Sequence, residues 1–309
     1  MGGTLWRARR KKNVQPLILE AEAPVRITHP DKLLFVDPPV TKLAYLEYLV
    51  QMAPYLLSHL RDRRITLVRC PHGIAGHRFY QRHVPSGAPS YIPYREVEGG
   101  KREIVIEDVA TLLFYANLGT IEFHAELHRL SDPRPRVLSF DLDPSDTSDF
   151  EKVRKTAFYV RDTLSELDLP SVVKTSGASG LQVFVPLLEP IAYEDSRRIV
   201  RFVARYVEGR WPHIATTARL IKERGDKVYV DAPQHGPTRT LIAPYSVRAT
   251  PLATVSTPIH WSELEGGCRP QDFTIRNVPA RVAQFGDLMT ESVAPASAAT
   301  IAKMLNSQR

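Results

Sequence analysis

Residues 136–144 read Arg-Val-Leu-Ser-Phe-Asp-Leu-Asp-Pro, and this stretch decides the fold that we expect for the rest of the chain. Its alternating pattern predicts a β-strand that the final proline must end, and Asp149 then begins the spacing of a long amphipathic helix. Successive side chains of a strand point to opposite faces, so Asp141 and Asp143 share one face while their apolar neighbours point to the core. Two carboxylates are therefore predicted to occupy one small volume.

Such a carboxylate pair repels itself unless a cation lies between the two groups, and hard oxygen ligands select Mg²⁺ or Mn²⁺. These ions bring substrate phosphates with them, so the pair favours metal-assisted phosphoryl transfer. A solvent-facing Asp-x-Asp at a strand end, without catalytic meaning, is the common alternative. Residues 227–231 predict a second strand ending in Asp231, which a sheet neighbour could bring beside the first two carboxylates. Three carboxylates could complete a site for two metal ions.

Helical and strand patterns are mixed along the chain, which predicts an α+β fold with mixed, mainly antiparallel sheets flanked by helices. From Thr41, an N-cap candidate, the spacing predicts a helix that is kinked or restarted before Pro54. We divide the chain into a basic N-terminal arm over residues 1–24, a catalytic domain over 25–285 and a weakly patterned tail over 286–309. The arm could lie along phosphates or be a solvated tail.

The composition is that of a globular protein with a basic surface. The 309 residues are 43% hydrophobic and 24% charged, as in ordinary soluble proteins. A formal net charge of +7 favours polyanionic partners, although ribosomal and heparin-binding proteins share it. Cys70 and Cys268 lack metal-binding spacing, and the sequence shows no secretory signal and no membrane-spanning apolar run. We expect a cytoplasmic, nucleoid-associated protein that does not bind membranes.

Residues 174–180, Lys-Thr-Ser-Gly-Ala-Ser-Gly, form a candidate phosphate loop between two predicted strands. A lysine, hydroxyl groups and flexible backbone amides can wrap phosphates without forming a Walker P-loop. Taken alone, such a loop is more often a hairpin turn.

Eight short motifs follow one another in order along the chain. They are His29-Pro30-Asp31-Lys32, Thr41-Lys42, Phe79-Tyr80-Gln81-Arg82-His83, Ile121-Glu122-Phe123-His124, Phe140-Asp141-Leu142-Asp143-Pro144, Lys174-Thr175-Ser176-Gly177, Val230-Asp231 and Ala243-Pro244-Tyr245-Ser246-Val247-Arg248. Together they resemble the polymerase domain of bacterial multifunctional DNA ligase D, in the archaeo-eukaryotic primase superfamily, over residues 27–261. The resemblance implies a primase-like core around a catalytic cleft, expected here as a stand-alone polymerase without ligase or nuclease domains.

The resemblance also assigns roles to residues of this chain. The implied metal ligands are Asp141, Asp143 and Asp231. The implied nucleotide contacts are His124 and Arg248 at the triphosphate, Ser176 at the sugar, and Lys174 and Gln182. The implied DNA contacts are Lys32 and Lys42 at the 5′-phosphate beyond a gap, Phe79 and Tyr80 at the template, and Arg69 and Arg82. Taken singly, these side chains have ordinary alternatives as a paired core histidine, surface arginines, half-buried strand aromatics and solvated helix-end lysines.

The implied function is template-dependent addition of nucleotides to a primer 3′-hydroxyl. Its substrates would be DNA gaps, 3′ overhangs and 5′-phosphorylated ends in repair by non-homologous end joining. We expect two divalent ions, with Mn²⁺ preferred over Mg²⁺, and NTPs preferred over dNTPs. A Ku-type end binder and a separate DNA ligase are the implied protein partners.

Two other functions stay open at this point. One is a catalytically weakened nucleic-acid-binding relative, which the retention of all three aspartates disfavours. The other is a metal-dependent nuclease or phosphohydrolase, because Asp-x-Asp alone does not distinguish attack by water from attack by a sugar hydroxyl. Two positions also depart from the family pattern, since Gln182 replaces a histidine and Gln234 replaces an arginine of many members. Residues 94–107 match the family poorly.

Overall fold

The computed structural model describes residues 18–19, 25–146 and 149–307. Its α-helices are α1 (Lys42–Leu60), α2 (Val109–Asn117), α3 (Phe150–Glu166), α4 (Tyr193–Arg210), α5 (Ile221–Arg224), α6 (Trp261–Glu265), α7 (Val278–Phe285), α8 (Leu288–Glu291) and α9 (Ala298–Ser307). Its strands are β1 (Ile18–Leu19), β2 (Val25–Arg26), β3 (Leu33–Phe35), β4 (Val40–Thr41), β5 (Ile65–Arg69), β6 (Phe79–Gln81), β7 (Tyr94–Val97), β8 (Lys101–Ile104), β9 (Thr120–Glu126), β10 (Val137–Pro144), β11 (Val172–Thr175), β12 (Leu181–Pro186), β13 (Ala215–Thr216), β14 (Val228–Val230), β15 (Thr240–Ile242) and β16 (Pro258–Ile259). The basic arm predicted over residues 1–24 lies outside the described residues, apart from the short strand β1.

The larger sheet contains the strand from which the sequence argument started. Its six strands have the order β13-β14-β10-β12-β11-β16, antiparallel except for the pair β13 and β14. Phe140 and Leu142 of β10 are fully buried, and α3 and α4 pack against this strand. As predicted, Asp149 caps α3, and its carboxylate accepts the N–H of Lys152 at 3.2 Å. Asp141 and Asp143 alternate with the buried residues, so they lie on the opposite face of the sheet.

The second sheet has four antiparallel strands in the order β15-β9-β5-β6. α1 and α2 pack against β9, and apolar side chains of both sheets and their helices join in one continuous core. The predicted α+β fold with mainly antiparallel sheets flanked by helices is confirmed. Strands β14 and β15 are close in sequence but belong to different sheets, and this places residues 231–240 at the junction of the two.

Helix α1 runs through Pro54 as one element, so the restart predicted at this residue is not seen. The predicted cap is confirmed, because the Thr41 hydroxyl accepts the N–H of Ala44 at 3.2 Å. Proline removes one hydrogen bond of the helix, but Leu49 and Leu56 are fully buried on either side of it. Burial of this apolar face outweighs the missing bond, and Pro54 itself is exposed.

The chain after α7 packs onto the rest of the protein. Ile301 of α9 is buried, and α9 contacts α4. Before α8, the buried carboxylate of Asp287 pairs with His59 of α1 at 3.0 Å and accepts the Tyr245 hydroxyl at 2.6 Å. Tyr245 lies in the segment that leads to Arg248, so the C-terminal region braces that segment.

Among the described residues, no helix is both long enough and apolar enough to cross a membrane.

We expect Pro54→Ala to raise the free energy of unfolding by about 2 kcal/mol. Restoring the helical hydrogen bond and removing the ring clash contribute about 3 kcal/mol, and the freer unfolded chain takes back up to about 1 kcal/mol. Urea denaturation measures the change. Gln51→Ala, at another exposed position of α1, is the matched control and should shift stability by no more than about 0.5 kcal/mol. A destabilised Pro54→Ala variant would show that α1 needs the proline.

Candidate active site

The three predicted aspartates meet on one face of the larger sheet. Leu142 of β10 pairs with Val230 of β14, and the next residue along, Asp231, donates its N–H to the carbonyl of Asp141 at 2.9 Å. Residues directly opposite in an antiparallel ladder share a face, so Asp231 joins Asp141 and Asp143. The structure thus confirms that the three carboxylates share a face.

One oxygen of Asp231 is already held by protein groups. Its Oδ1 accepts the Tyr229 hydroxyl at 3.1 Å and the Gln234 N–H at 3.0 Å. Arg224 lies over the Tyr229 ring, 3.8 Å from its centroid. These contacts fix the carboxylate at the end of β14.

Electrostatics favour a cation beside these groups. Burial and the charges of Asp143 and Asp231 raise the pKa of Asp141 well above its usual range, and burial together with Asp231 raises the pKa of Asp143. Within the described residues, no group of three or more aspartate, glutamate, histidine or cysteine side chains is placed to hold a metal ion by itself. The aspartates therefore fit divalent ions that complete their coordination with water and substrate phosphates, as Mg²⁺ commonly does.

Lys174 and Gln182 lie in the same row of the sheet as Asp141, but both are buried. Gln182 pairs with Asp141 on one side and with Lys174 on the other. Its amide donates to Asp141 Oδ1 at 2.9 Å and accepts the Lys174 ammonium at 2.6 Å. Lys174 is 0% exposed, so the direct nucleotide contact predicted for it is not available in this geometry. The predicted contact of Gln182 with the triphosphate is likewise not favoured, because its polar atoms bind protein groups.

The loop between β11 and β12 lies against the aspartates. The Ser176 hydroxyl accepts the backbone N–H groups two and four residues further on, at 3.2 and 3.1 Å. A Cβ on Gly180 would lie 2.5 Å from a carbonyl oxygen of β10 and 3.5 Å from Asp143 Oδ1. A Cβ on Gly177, whose φ is +73°, would lie 2.6 Å from Arg248 Cγ. Both glycines are required for this close approach, which places the loop against β10 on one side and against Arg248 on the other.

Glu122 is a site residue that the sequence argument did not assign, and it connects His124 to Arg248. Its Oε2 accepts His124 Nε2 at 2.8 Å and pairs with Arg248 Nη1 at 3.1 Å, while Oε1 accepts the Ala249 N–H at 3.0 Å. Burial alone would raise the pKa of Glu122, but these partners lower it. Burial lowers the pKa of His124 despite the Glu122 hydrogen bond. Period-two spacing with His124 on β9 was the signal that could have identified Glu122.

Arg248 has one buried donor to spare. Its Nε–H is buried and has no hydrogen-bond acceptor among the described residues. The charge of Arg248 also acts on Asp143, so the guanidinium lies between Glu122 and the acidic triad. An unpaired buried donor is costly unless a ligand supplies its acceptor, and phosphate is the natural ligand for arginine.

The predicted DNA contacts lie on other parts of the molecule. In the four-stranded sheet, Tyr80 pairs with Val68, which pairs with Glu122. Tyr80 therefore lies on the face that carries Glu122, and it is 75% exposed. Phe79 lies on the other face beside Arg69, whose guanidinium is 5.2 Å from the ring centroid. Arg82 is exposed.

Lys32 and Lys42 lie close together where the chain enters α1. Lys42 donates to the carbonyl of Thr28 at 2.7 Å, and Lys32 donates to the carbonyl of Pro71. Burial and the charge of Lys32 lower the pKa of Lys42 to about 8. A cavity of about 420 Å³ opens at residues 29–32. Lys32 lines this cavity, whereas Lys42 is 5% exposed and does not line it, so Lys32 is the lysine placed to meet an anion directly.

Three carboxylates beside an arginine and a histidine are the combination expected of a site for metal-dependent transfer of a phosphoryl or nucleotidyl group. The family model for the LigD primase-polymerase domain matches residues 41–289. The chain belongs to this family and is therefore a DNA-directed nucleotidyltransferase, an activity that implies divalent metal ions.

Similar proteins agree with this assignment. The bifunctional non-homologous end joining protein LigD of Bacillus subtilis is 34% identical over 85% of this chain and 43% of its own length. The multifunctional LigD of Mycolicibacterium smegmatis is 31% identical over 89% of this chain and 37% of its own. The chain thus spans less than half of these curated relatives. The solved polymerase domain of Mycobacterium tuberculosis ligase D in complex with DNA has a TM-score of 0.80 and 28% identity, over 88% of this chain and 99% of that one.

We expect Glu122→Gln to lower the free energy of unfolding by about 1.5–3 kcal/mol at pH 7, because bonds to a charged group are lost. The KM for nucleotide should also rise, since His124 and Arg248 lose their common anchor. The folded-state pKa of Glu122 is depressed, so its contribution is complete above its ordinary value of 4.5 and is lost as the pH falls through the lower folded value. The difference in the free energy of unfolding between wild type and variant should therefore shrink as the pH falls below 4.5. Denaturation at several pH values measures this difference.

Glu151→Gln is the control for this variant, because Glu151 is exposed and its ion pair with Arg154 lies at the surface of α3. Its loss should be below about 1 kcal/mol. Equal effects of the two substitutions would contradict an anchoring role for Glu122.

Proposed function

We propose that this protein extends the 3′-hydroxyl of a DNA primer, directed by a template, at gaps and broken ends during DNA repair. The observation that carries the proposal is the acidic triad of Asp141, Asp143 and Asp231 next to the unpaired Nε–H of Arg248. This juxtaposition suits a triphosphate whose reacting end lies at the aspartates and whose charge is met by the guanidinium.

The residues of the site would divide the work as follows. Asp141, Asp143 and Asp231 would hold two divalent ions, which when bound acidify the primer hydroxyl and neutralise charge on the leaving pyrophosphate. Arg248 Nε donates to the triphosphate, and Glu122 keeps the guanidinium in place. His124 is held by the same carboxylate and would contact the triphosphate beside it. We propose Mn²⁺ as the preferred ion.

The proposed DNA substrate rests on the surface residues and on the relatives. The curated relatives are named for non-homologous end joining, and the solved polymerase domain was determined in complex with DNA. Exposed Tyr80, on the Glu122 face, could stack on an unpaired template base, which is worth about 1–3 kcal/mol per base. We also propose that a Ku-type end binder and a DNA ligase act with this chain, near the nucleoid.

A gapped duplex incubated with NTPs and Mn²⁺ tests the proposal against its alternatives. Primer lengthening that copies the template supports a polymerase. Shortening would identify a nuclease, and an unchanged primer that nevertheless stays bound would identify a binding protein without synthesis.

We expect Asp141→Ala and Asp143→Ala to reduce primer extension to background while DNA affinity changes little. Phosphate contacts elsewhere supply the affinity, whereas the aspartates hold the ions of the chemical step. Extension assays and binding titrations on the same preparations measure both quantities. Asp226→Ala, which removes an exposed carboxylate paired with Lys152, is the matched control and should keep full activity. Normal extension by either triad variant would refute the mechanism.

We expect the double change Lys32→Ala and Lys42→Ala to abolish any preference for a 5′-phosphorylated gap over an unphosphorylated one. The wild-type preference should decline above pH 8, because Lys42, with a pKa of about 8, loses its charge there. Binding titrations with both gap types at pH 7 and pH 9 measure this. Lys155→Ala with Lys222→Ala removes the same charge from exposed positions and should preserve the preference. A wild type that does not distinguish the two gaps would disprove the assignment.

We expect NTPs to be incorporated with a higher kcat/KM than dNTPs. The Ser176 hydroxyl accepts two backbone N–H groups, which leaves its own proton free to bond a ribose hydroxyl. A site that bonds the 2′-hydroxyl leaves a polar group unpaired when that hydroxyl is missing. Ser176→Ala should therefore narrow the ratio of the two kcat/KM values, and an unchanged ratio would exclude Ser176 as the discriminating residue.

A further inference from the structure

Three polar side chains form a continuous row across β10, β12 and β11. Asp141 pairs with Gln182, and Gln182 pairs with Lys174, so the three side chains stand side by side on one face. Gln182 is 3% exposed and Lys174 is 0% exposed. Burying an ammonium and an amide in a sheet is costly unless both are fully hydrogen-bonded. We therefore expect this row to have a specific role.

The row has a fixed chemical direction. When Lys174 is protonated and Asp141 is ionised, as a metal ligand must be, the ammonium can only donate hydrogen bonds and the carboxylate can only accept them. The amide between them must therefore turn its oxygen to Lys174, at 2.6 Å, and its nitrogen to Asp141, at 2.9 Å. The opposite orientation would place like poles together at both ends. Lys174 thus decides which way Gln182 points.

The Lys174 ammonium has no capacity left for a substrate. Besides Gln182, it donates to the Ser256 hydroxyl and to the carbonyl of Ile242 at 3.2 Å. The carbonyl of Thr175, at 3.5 Å, is a fourth acceptor, so all three ammonium protons have protein partners. The second carboxylate oxygen of Asp141, in contrast, has no hydrogen-bond donor among the described residues. One oxygen of Asp141 is therefore fixed by protein and the other is left open.

We propose that Gln182 is a positioning residue for Asp141, locked in its orientation by Lys174, and that neither side chain contacts the nucleotide. The proposal rests on the proposed function, in which Asp141 is a metal ligand. The hydrogen bonds from Lys174 through Gln182 to Asp141 form what we call the relay. The relay holds Oδ1 of Asp141 so that Oδ2 is directed to the ion. The rival role is a triphosphate contact by Gln182 at the position where the resembling family has histidine.

The test compares Gln182→Met, Lys174→Met and the double variant, because methionine retains length and burial without a donor. Mn²⁺ affinity is measured by electron paramagnetic resonance without nucleotide or DNA, and kcat and KM for NTP are measured by gap filling. Loss of an outer hydrogen-bond partner of a metal ligand typically costs about 10–100-fold in metal affinity or activity. We expect a loss of this size in Mn²⁺ affinity and in kcat for each single variant, with KM changed about two-fold or less.

The double variant separates one relay from two independent contacts. If Lys174 acts only through Gln182, the double variant should be no worse than Gln182→Met, whereas independent contacts would multiply their effects. Gln182→Glu provides a second check, because a carboxylate still accepts Lys174 but has no proton for Asp141. It should behave as Gln182→Met in Mn²⁺ binding, and Gln182→His, which has an N–H, should restore binding at least in part.

Stability must be measured beside function. Thr163→Val removes a buried hydroxyl of α3 that has no hydrogen-bond partner among the described residues, and it should leave Mn²⁺ affinity and kcat unchanged. Gln182 variants that lose only melting temperature, with normal Mn²⁺ affinity and kcat, would reduce the relay to a structural role and overturn the proposal. A raised KM with normal kcat would also overturn it, in favour of a triphosphate contact. A wild type that neither binds Mn²⁺ nor extends primers would instead refute the proposed function and the relay with it.

Discussion

Mutual repulsion among three neighbouring, partly buried carboxylates is the constraint on which the rest of the site depends. Pairing of β10 with β14 forces Asp231 beside Asp141, and no rotamer can take all three side chains off their common face. In the fold, one oxygen of Asp141 accepts a hydrogen bond from Gln182, and one oxygen of Asp231 accepts a hydrogen bond from Tyr229. These bonds offset part of the repulsion. The sheet therefore keeps an arrangement that is unfavourable by itself and becomes favourable with bound cations.

The four-stranded sheet has the opposite role, because its residues hold the positive charge of Arg248 near the acidic triad without neutralising the triad. Glu122 does this by pairing with Arg248 through one edge of the guanidinium and with His124. The guanidinium is oriented, yet its Nε–H stays unpaired. Each sheet thus supplies one half of a site for a polyanion and its counterions. The core shared by both sheets fixes the distance between the halves, so the site is organised before substrate arrives.

The sequence predicted what depends on local periodicity and missed what depends on pairing between distant strands. Alternation along residues 136–144 was enough to place Asp141 and Asp143 on one face. The relay from Lys174 was not predictable, because it needs the register of three strands that no local pattern encodes. Of the kink or restart predicted before Pro54, the restart was wrong for a related reason, since burial of the α1 face is a tertiary effect that overrides a local rule. Glu122 could have been assigned from its spacing to His124.

The hydrogen bond between Tyr245 and Asp287 bears on where the functional domain ends. Asp287 lies after α7, in a region with little pattern of its own, yet it holds His59 and the hydroxyl of Tyr245. Arg248 follows Tyr245 by three residues in the same segment. A fragment ending at Phe285 would keep every side chain that we propose to contact substrate, but it would lose the carboxylate that supports the Tyr245 segment leading to Arg248. Proteolysis between α7 and α8 would accordingly disturb the position of Arg248 first, and with it the proposed contact to the triphosphate.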